Sequence, residues 1–245
     1  MNKMLQSVHW VLLVLYAIAS AEPGKPDTSK CGSAPITMEC CPDCYGTLPS
    51  VYTITAVKLD ERDCDERVYN GLKVESFNLF MAKVASYCPF TGDQASLCPN
   101  GTDMALTGTL EPLAEVPGGQ DMYVNADGLI SITVQHSHFF PPGSYPYYEG
   151  WTWKPYRVFP PDKRLTAGCK RDNPEYNCDP PTGFFNFQAP NATVGGLRAC
   201  PNEYEANVTS VYAVTPEFNR TDCVELDGLG THVYTGPNPP VWAYF

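Results

Sequence analysis

The sequence predicts a single all-β domain, a sandwich or barrel-like fold stapled by disulfides and carrying one long Pro- and aromatic-rich loop. Three observations predict it. Short runs of β-branched and aromatic residues recur along the chain, separated by turn formers, with 24 Pro and 19 Gly in 245 residues. Eleven cysteines follow an export leader, the setting in which cysteines form a structural framework. One segment alternates apolar and polar side chains with the period of a half-buried strand on either side of a tight turn.

The leader is the first element. Lys3 precedes an apolar run from Val8 to Ile18 that ends in Ala19-Ser20-Ala21, the pattern of a signal peptide cleaved after Ala21. The run is short for a bilayer span, and Glu22-Pro23-Gly24-Lys25-Pro26 cannot continue a helix. The expected product is secreted and extracellular, with no membrane anchor. It divides into a leader at 1–21, a Cys-rich segment at 22–70 and a β domain at 71–245. A formal charge of −11 argues against nucleic acid as a partner and suits a soluble protein in a mildly acidic medium. Asn100, Asn191, Asn207 and Asn219 each head an Asn-x-Thr sequon, so glycans are expected there and the segments around them should be surface.

Strands are expected at 50–57, 72–84, 104–110, 183–188, 208–214 and 241–245. The clearest signal lies at 120–136, where Met122-Tyr123-Val124 and Leu129-Ile130-Ser131-Ile132-Thr133-Val134 flank Asn125-Ala126-Asp127-Gly128. Asp127-Gly128 supplies the positive φ that a short hairpin loop needs, and Ile130, Ile132 and Val134 fall on one face. Residues 139–162, rich in Pro and aromatics without periodicity, read as a long ordered loop.

The cysteines suggest a partial repeat. Cys41-Pro42 leads to Ser50-Val51-Tyr52 and on to Asp63-Cys64, while Cys200-Pro201 leads to Ser210-Val211-Tyr212 and on to Asp222-Cys223. A loop-strand-loop unit closed by its own disulfide explains both, so Cys41 is expected to pair with Cys64 and Cys200 with Cys223. Two short turn-rich loops suggest Cys88 with Cys98 and Cys169 with Cys178. Cys31, Cys40 and Cys44 are left over, two to pair and one to remain. The Cys41-x-x-Cys44 spacing lacks the second ligand pair of a zinc site, and disulfides are the expected use in this compartment.

For chemistry, no nucleophile motif, phosphate loop or recognised metal signature is present, so neither an enzyme nor a cofactor is expected. His136 and His138, at i and i+2 of an expected strand end, would point to one face and could hold a metal with His232; the alternative is hydrogen-bonded strand-end histidines. No two of the carboxylates stand out as a glycosidase pair. Tyr148, Trp151 and Trp153 head a crowd of aromatics that could stack on sugars, making cell-wall polysaccharide the candidate partner; the alternative is that these rings pack inward over the sheet. A Cys-rich secreted effector is a further alternative.

Val116-Pro117-Gly118-Gly119-Gln120-Asp121-Met122-Tyr123-Val124, then Ala126-Asp127-Gly128-Leu129-Ile130-Ser131, then Gln135-His136-Ser137-His138 and Pro141-Pro142-Gly143-Ser144 resemble the PhiA-like fungal cell-wall proteins. Tyr87-Cys88-Pro89, Cys98, Ala199-Cys200-Pro201, Cys223 and Trp242-x-Tyr244 stand in that family's order. The resemblance covers roughly residues 71–245. It implies a small non-catalytic protein of the conidial or hyphal wall, associated with asexual development and stress protection and often described as IgE-binding. The Cys-rich segment, the insertion near 145–182 and the pair Cys169 and Cys178 depart from the family pattern.

Overall fold

The structure, a computed structural model, describes residues 42–59, 68–81, 83–158 and 163–245. Along these segments run the strands β1 (Tyr52–Val57), β2 (Asn78–Leu79), β3 (Ser86–Tyr87), β4 (Leu106–Thr107), β5 (Glu111–Pro112), β6 (Met122–Val124), β7 (Ile130–Ile132), β8 (Tyr145–Pro146) and β9 (Trp151–Pro155). They continue as β10 (Gly183–Phe187), β11 (Leu197–Pro201), β12 (Thr209–Ala213), β13 (Val224–Leu226), β14 (Gly228–Val233) and β15 (Ala243–Tyr244). Short 3-10 helices at Pro42–Cys44, Gly92–Leu97 and Lys163–Thr166 are the helical content among the described residues.

The strands form antiparallel sheets that curl into a half-barrel. The largest has the order β5-β4-β1-β14-β10-β9, the second β13-β11-β12-β2, the third β7-β6-β8, and β15 pairs with β3. All four contribute to one buried cluster, with Tyr52, Ile54 and Phe185 from the first, Leu197 and Val211 from the second, Met122 and Val124 from the third and Tyr244 from the last. In β1 the inward set Tyr52, Ile54 and Ala56 is fully buried, and the Tyr52 ring stacks on Phe185 at 5.9 Å. The Tyr52 hydroxyl donates to Gly108 O at 2.9 Å and accepts from Leu110 N at 2.9 Å, so this core phenol keeps both hydrogen bonds while burial raises its pKa.

The expected hairpin is present, but its second strand ends at Ile132, so the alternation breaks there and Val134, expected on the core face, is 71 % exposed while Thr133 is buried. Met122, Tyr123 and Val124 face Ile132, Ser131 and Ile130, and Asn125 N donates to Leu129 O at 2.8 Å. Gly128 has φ +98°, and a Cβ there would lie 2.2 Å from Ala213 O, whose own N–H donates to Gly128 O at 2.8 Å. The hairpin tip is thereby seated against β12. Gly128→Ala is expected to cost about 2–3 kcal/mol through φ strain and a displaced contact; a urea midpoint within about 0.3 M of wild type would contradict this seating.

Other expected strands are shorter than the sequence suggests. Among the described residues of 72–84 the chain makes bridges at Leu72, Lys73 and Glu75 and the two-residue β2, because Ser76, Phe77 and Phe80 take positive φ and break the extended run. Across 104–110 it turns at Gly108 and Leu110, both at positive φ, to pair β4 with β5. Within 139–162, read as a loop, the chain builds β8 and β9, and β9 pairs along its whole length with β10.

Disulfides join Cys88 to Cys98, Cys169 to Cys178 and Cys200 to Cys223, the pairs suggested by the short loops and by the second repeat unit. Cys44 is also disulfide-bonded. The leader, Cys31, Cys40 and the expected Cys41 to Cys64 bridge lie outside the described residues. The strands of the two repeat units sit in different sheets, β1 beside β14 and β12 beside β11.

Candidate functional site

A group of ionisable side chains surrounds a cleft beside the end of β14. Residues 72–75 run against β1, with Ala56 N donating to Leu72 O at 2.8 Å and Val74 N to Ile54 O at 3.0 Å, which sets Lys73 and Glu75 two residues apart. Lys73 Nζ donates to Asp103 Oδ1 at 2.6 Å, both side chains about one-quarter exposed. Glu75 is 2 % exposed, and its Oε2 accepts from Met104 N at 2.5 Å. Burial pushes the Glu75 carboxyl up to about 9; the Met104 N–H opposes the shift and the Asp103 charge adds to it. Thr53, Lys73, Asp103, Asn177, Tyr234 and Thr235 line the opening, about 210 Å³. The Tyr234 hydroxyl is buried without a hydrogen-bond partner among the described residues, and burial, then the Asp103 and Glu75 charges, raise its pKa.

Two carboxyl groups with one kept neutral is an arrangement that can share a proton. Here the protonated member is sealed beneath its neighbour and bonded to a main-chain amide, so it reaches no solute directly. His232, on β14, is similarly enclosed. Its Nε2 lies 2.9 Å from Thr55 Oγ1, the side chain is 5 % exposed, and burial pushes its pKa down to about 4. Threonine beside histidine is the pairing of an activated nucleophile, but Thr55 is 2 % exposed, and the pair works as an internal hydrogen bond of the sheet.

The histidines proposed as metal candidates are not brought together. His136 and His138 lie beyond the end of β7 in a turn, where His136 takes φ +61°, so the i, i+2 rule for a strand does not apply. His136 Nδ1 sits 2.8 Å from Pro117 O, and His138 Nδ1 sits 2.6 Å from Asp121 Oδ2. His232 belongs to the six-stranded sheet. Among the described residues no group of three His, Cys, Asp or Glu side chains could hold a metal ion.

The aromatic crowd divides. Trp151 and Trp153 alternate on β9 with exposed Thr152 and Lys154 and turn their rings inward. Trp151 meets Phe187 at 5.3 Å, and Trp153 Nε1 donates to Thr231 Oγ1 at 3.2 Å. The Trp153 ring covers Gly183, where a Cβ would stand 2.2 Å from it. These two rings are half-buried cover for the sheet, so the expected stacking set shrinks to Tyr148, 62 % exposed and edge-on to Tyr147 at 5.1 Å. A second exposed aromatic group was not anticipated: Tyr87 touches Trp242 at 5.7 Å and Phe245 at 6.0 Å. Asn100, Asn191, Asn207 and Asn219 are all exposed.

Fold and site define a disulfide-stapled all-β protein in which Glu75 and His232 are the acid and the histidine buried among the described residues. Among the described residues no helix is long and apolar enough to cross a membrane. No family model matches the sequence, and no solved structure matches it. A protein of Arthroderma benhamiae described as an uncharacterized secreted protein is 31 % identical over 165 residues, covering 65 % of this chain and 69 % of the relative. The chain belongs to the same fungal family of secreted proteins.

Proposed function

We propose that this chain is a non-catalytic protein of the fungal cell wall, with a structural or protective role linked to conidiation and stress tolerance. What supports the reading is the use made of the residues that resemble the PhiA-like proteins. Gln120 Nε2 donates to Thr133 O at 2.8 Å and to Tyr244 O at 3.0 Å, while its Oε1 accepts from Tyr244 N at 2.7 Å. Ala126 O accepts from Thr215 Oγ1 at 2.6 Å, Pro117 O lies against His136, and Asp121 lies against His138. Polar groups spent on fastening a sheet to its neighbours serve durability rather than turnover of a substrate.

The test is fractionation of hyphae and conidia carrying an epitope-tagged chain. Retention in walls washed with hot detergent is expected; complete recovery in the medium would overturn the reading. A second reading, a glycan-binding module, is favoured by exposed Tyr148 at the β8–β9 turn. Binding of the purified protein to insoluble chitin or β-glucan, reduced about threefold to tenfold by Tyr148→Ala, is its expected result; no retention of wild type on either polymer would remove it. Trp151 and Trp153 are unsuitable for that test, since their loss would also uncover the sheet.

A further inference from the structure

Asn100 differs from the other three sequon asparagines in what stands beside it. It lines a surface hollow of about 480 Å³ together with Gly101, Thr102, Lys83, Ser86 and Phe245. The backbone explains the juxtaposition. Val84 N donates to Thr102 O at 2.8 Å, and Phe245 N donates to Ala85 O at 3.2 Å. Residues 84–85 therefore lie between the sequon on one side and Phe245 on the other. Two neighbour-to-neighbour spacings separate Thr102 from Phe245, about 10 Å, and Asn100 borders the same hollow. The Phe245 ring is 67 % exposed yet held from one side by Tyr87, so it offers a positioned flat face to the hollow. Lys83 and Ser86, both exposed, place an ammonium and a hydroxyl at its rim.

We propose that the N-linked glycan on Asn100 folds back into this hollow, its first N-acetylglucosamine residues laying their C–H face on Phe245 and their hydroxyl and acetamido groups toward Lys83 and Ser86. Attachment joins Asn100 Nδ2 to the sugar C1 as the C1–O bond to a lipid-diphosphate oligosaccharide donor breaks, the nitrogen giving up one proton. A reducing-end pair of sugars is long enough to cross the two spacings. It is amphipathic in the same sense as the hollow, apolar on the ring face and rich in donors and acceptors at the edge. The occupant is covalently tethered, so its local concentration is high and a modest stacking energy is sufficient. Asn191 and Asn207 lie in exposed turns at φ +57° and +70°, with no comparable hollow among those described.

The experiment is site-resolved glycopeptide mass spectrometry of the secreted full chain, made in a yeast that adds high-mannose glycans, during timed digestion of the folded protein with endoglycosidase H. Asn100 is expected to be occupied and its glycan released about threefold to tenfold more slowly than those on the other occupied sequons. Phe245→Ala should remove that lag, Phe245→Tyr should keep it, and denaturation before digestion should equalise the sites. An unoccupied Asn100, release at the common rate, or a lag that persists in Phe245→Ala would each overturn the proposal. Equal thermal melting of the two Phe245 variants after complete deglycosylation is the check that the ring change itself leaves the fold intact.

Discussion

Gln120→Leu is expected to lower the unfolding free energy by about 4 kcal/mol and the melting temperature by about 10 °C. Gln120 is 4 % exposed, and its amide acts as an extra strand residue, giving and taking hydrogen bonds with the Tyr244 backbone and donating to Thr133 O. Leucine fills nearly the same space but leaves a buried N–H and two buried carbonyls without partners, each costing about 1–3 kcal/mol. The damage would spread. Tyr244 carries its hydroxyl to the opposite side, accepting from Ala105 N at 3.1 Å and donating to Leu113 O at 3.0 Å. Urea denaturation checks the prediction, and a loss below about 1 kcal/mol would mean that water or a shifted backbone takes the place of the amide.

The second large effect is on pH dependence. Glu75 is pushed up to about 9 from 4.5 by burial, so between those values the folded chain keeps a proton that the unfolded chain has released. Unfolding then sheds a proton, and stability falls as pH rises through this window. His232 acts in the opposite sense. Burial lowers it to about 4 from 6.5, so between those values the unfolded chain binds the extra proton and stability rises with pH. The two slopes oppose each other between about pH 4.5 and 6.5, and Glu75 alone acts above that range. Its carboxyl faces Asp103, Lys73 and the Tyr234 and Tyr244 phenols. Differential scanning calorimetry should show a plateau near pH 4.5–6.5 and then a loss of about 3 kcal/mol, or about 9 °C, by pH 9. Glu75→Gln, neutral at every pH, should flatten the alkaline decline and turn the plateau into a rise of stability between about pH 4.5 and 6.5, where His232 then acts unopposed. An equal decline in both proteins would assign it to other groups.

How much of this was legible follows from what each signal depends on. The hairpin was readable because alternation at Ile130-Ser131-Ile132 and the turn at Asp127-Gly128 agree. The three described disulfides were readable because loop length and a repeated spacing restrict the choice. β14 escaped notice because Gly228-Leu229-Gly230-Thr231-His232-Val233 carries two glycines, which lower strand propensity, although its burial between β1 and β10 leaves little room for larger residues. β9 was hidden by flanking prolines, although Trp151-Thr152-Trp153-Lys154 does alternate. Glu75 offered no signal at all. In Lys73-Val74-Glu75 it resembles any solvent-facing strand residue, and only the crossing of residues 102–104 over it makes it an interior acid. The cluster of Tyr87, Trp242 and Phe245 likewise depends on β15 returning to pair with β3, a contact between distant parts of the chain.

The position of β14 has a consequence for biosynthesis. It fills the space between β1 and β10, joining strands made much earlier to one made well before it. During synthesis the largest sheet therefore waits as two separate ribbons with unpaired edges, and it closes only after residue 233 has entered the secretory lumen. A chain interrupted before residue 228 would leave both edges open, inviting strand addition from neighbouring copies. A product truncated before β14 is therefore expected to aggregate through those two open edges rather than to close the largest sheet.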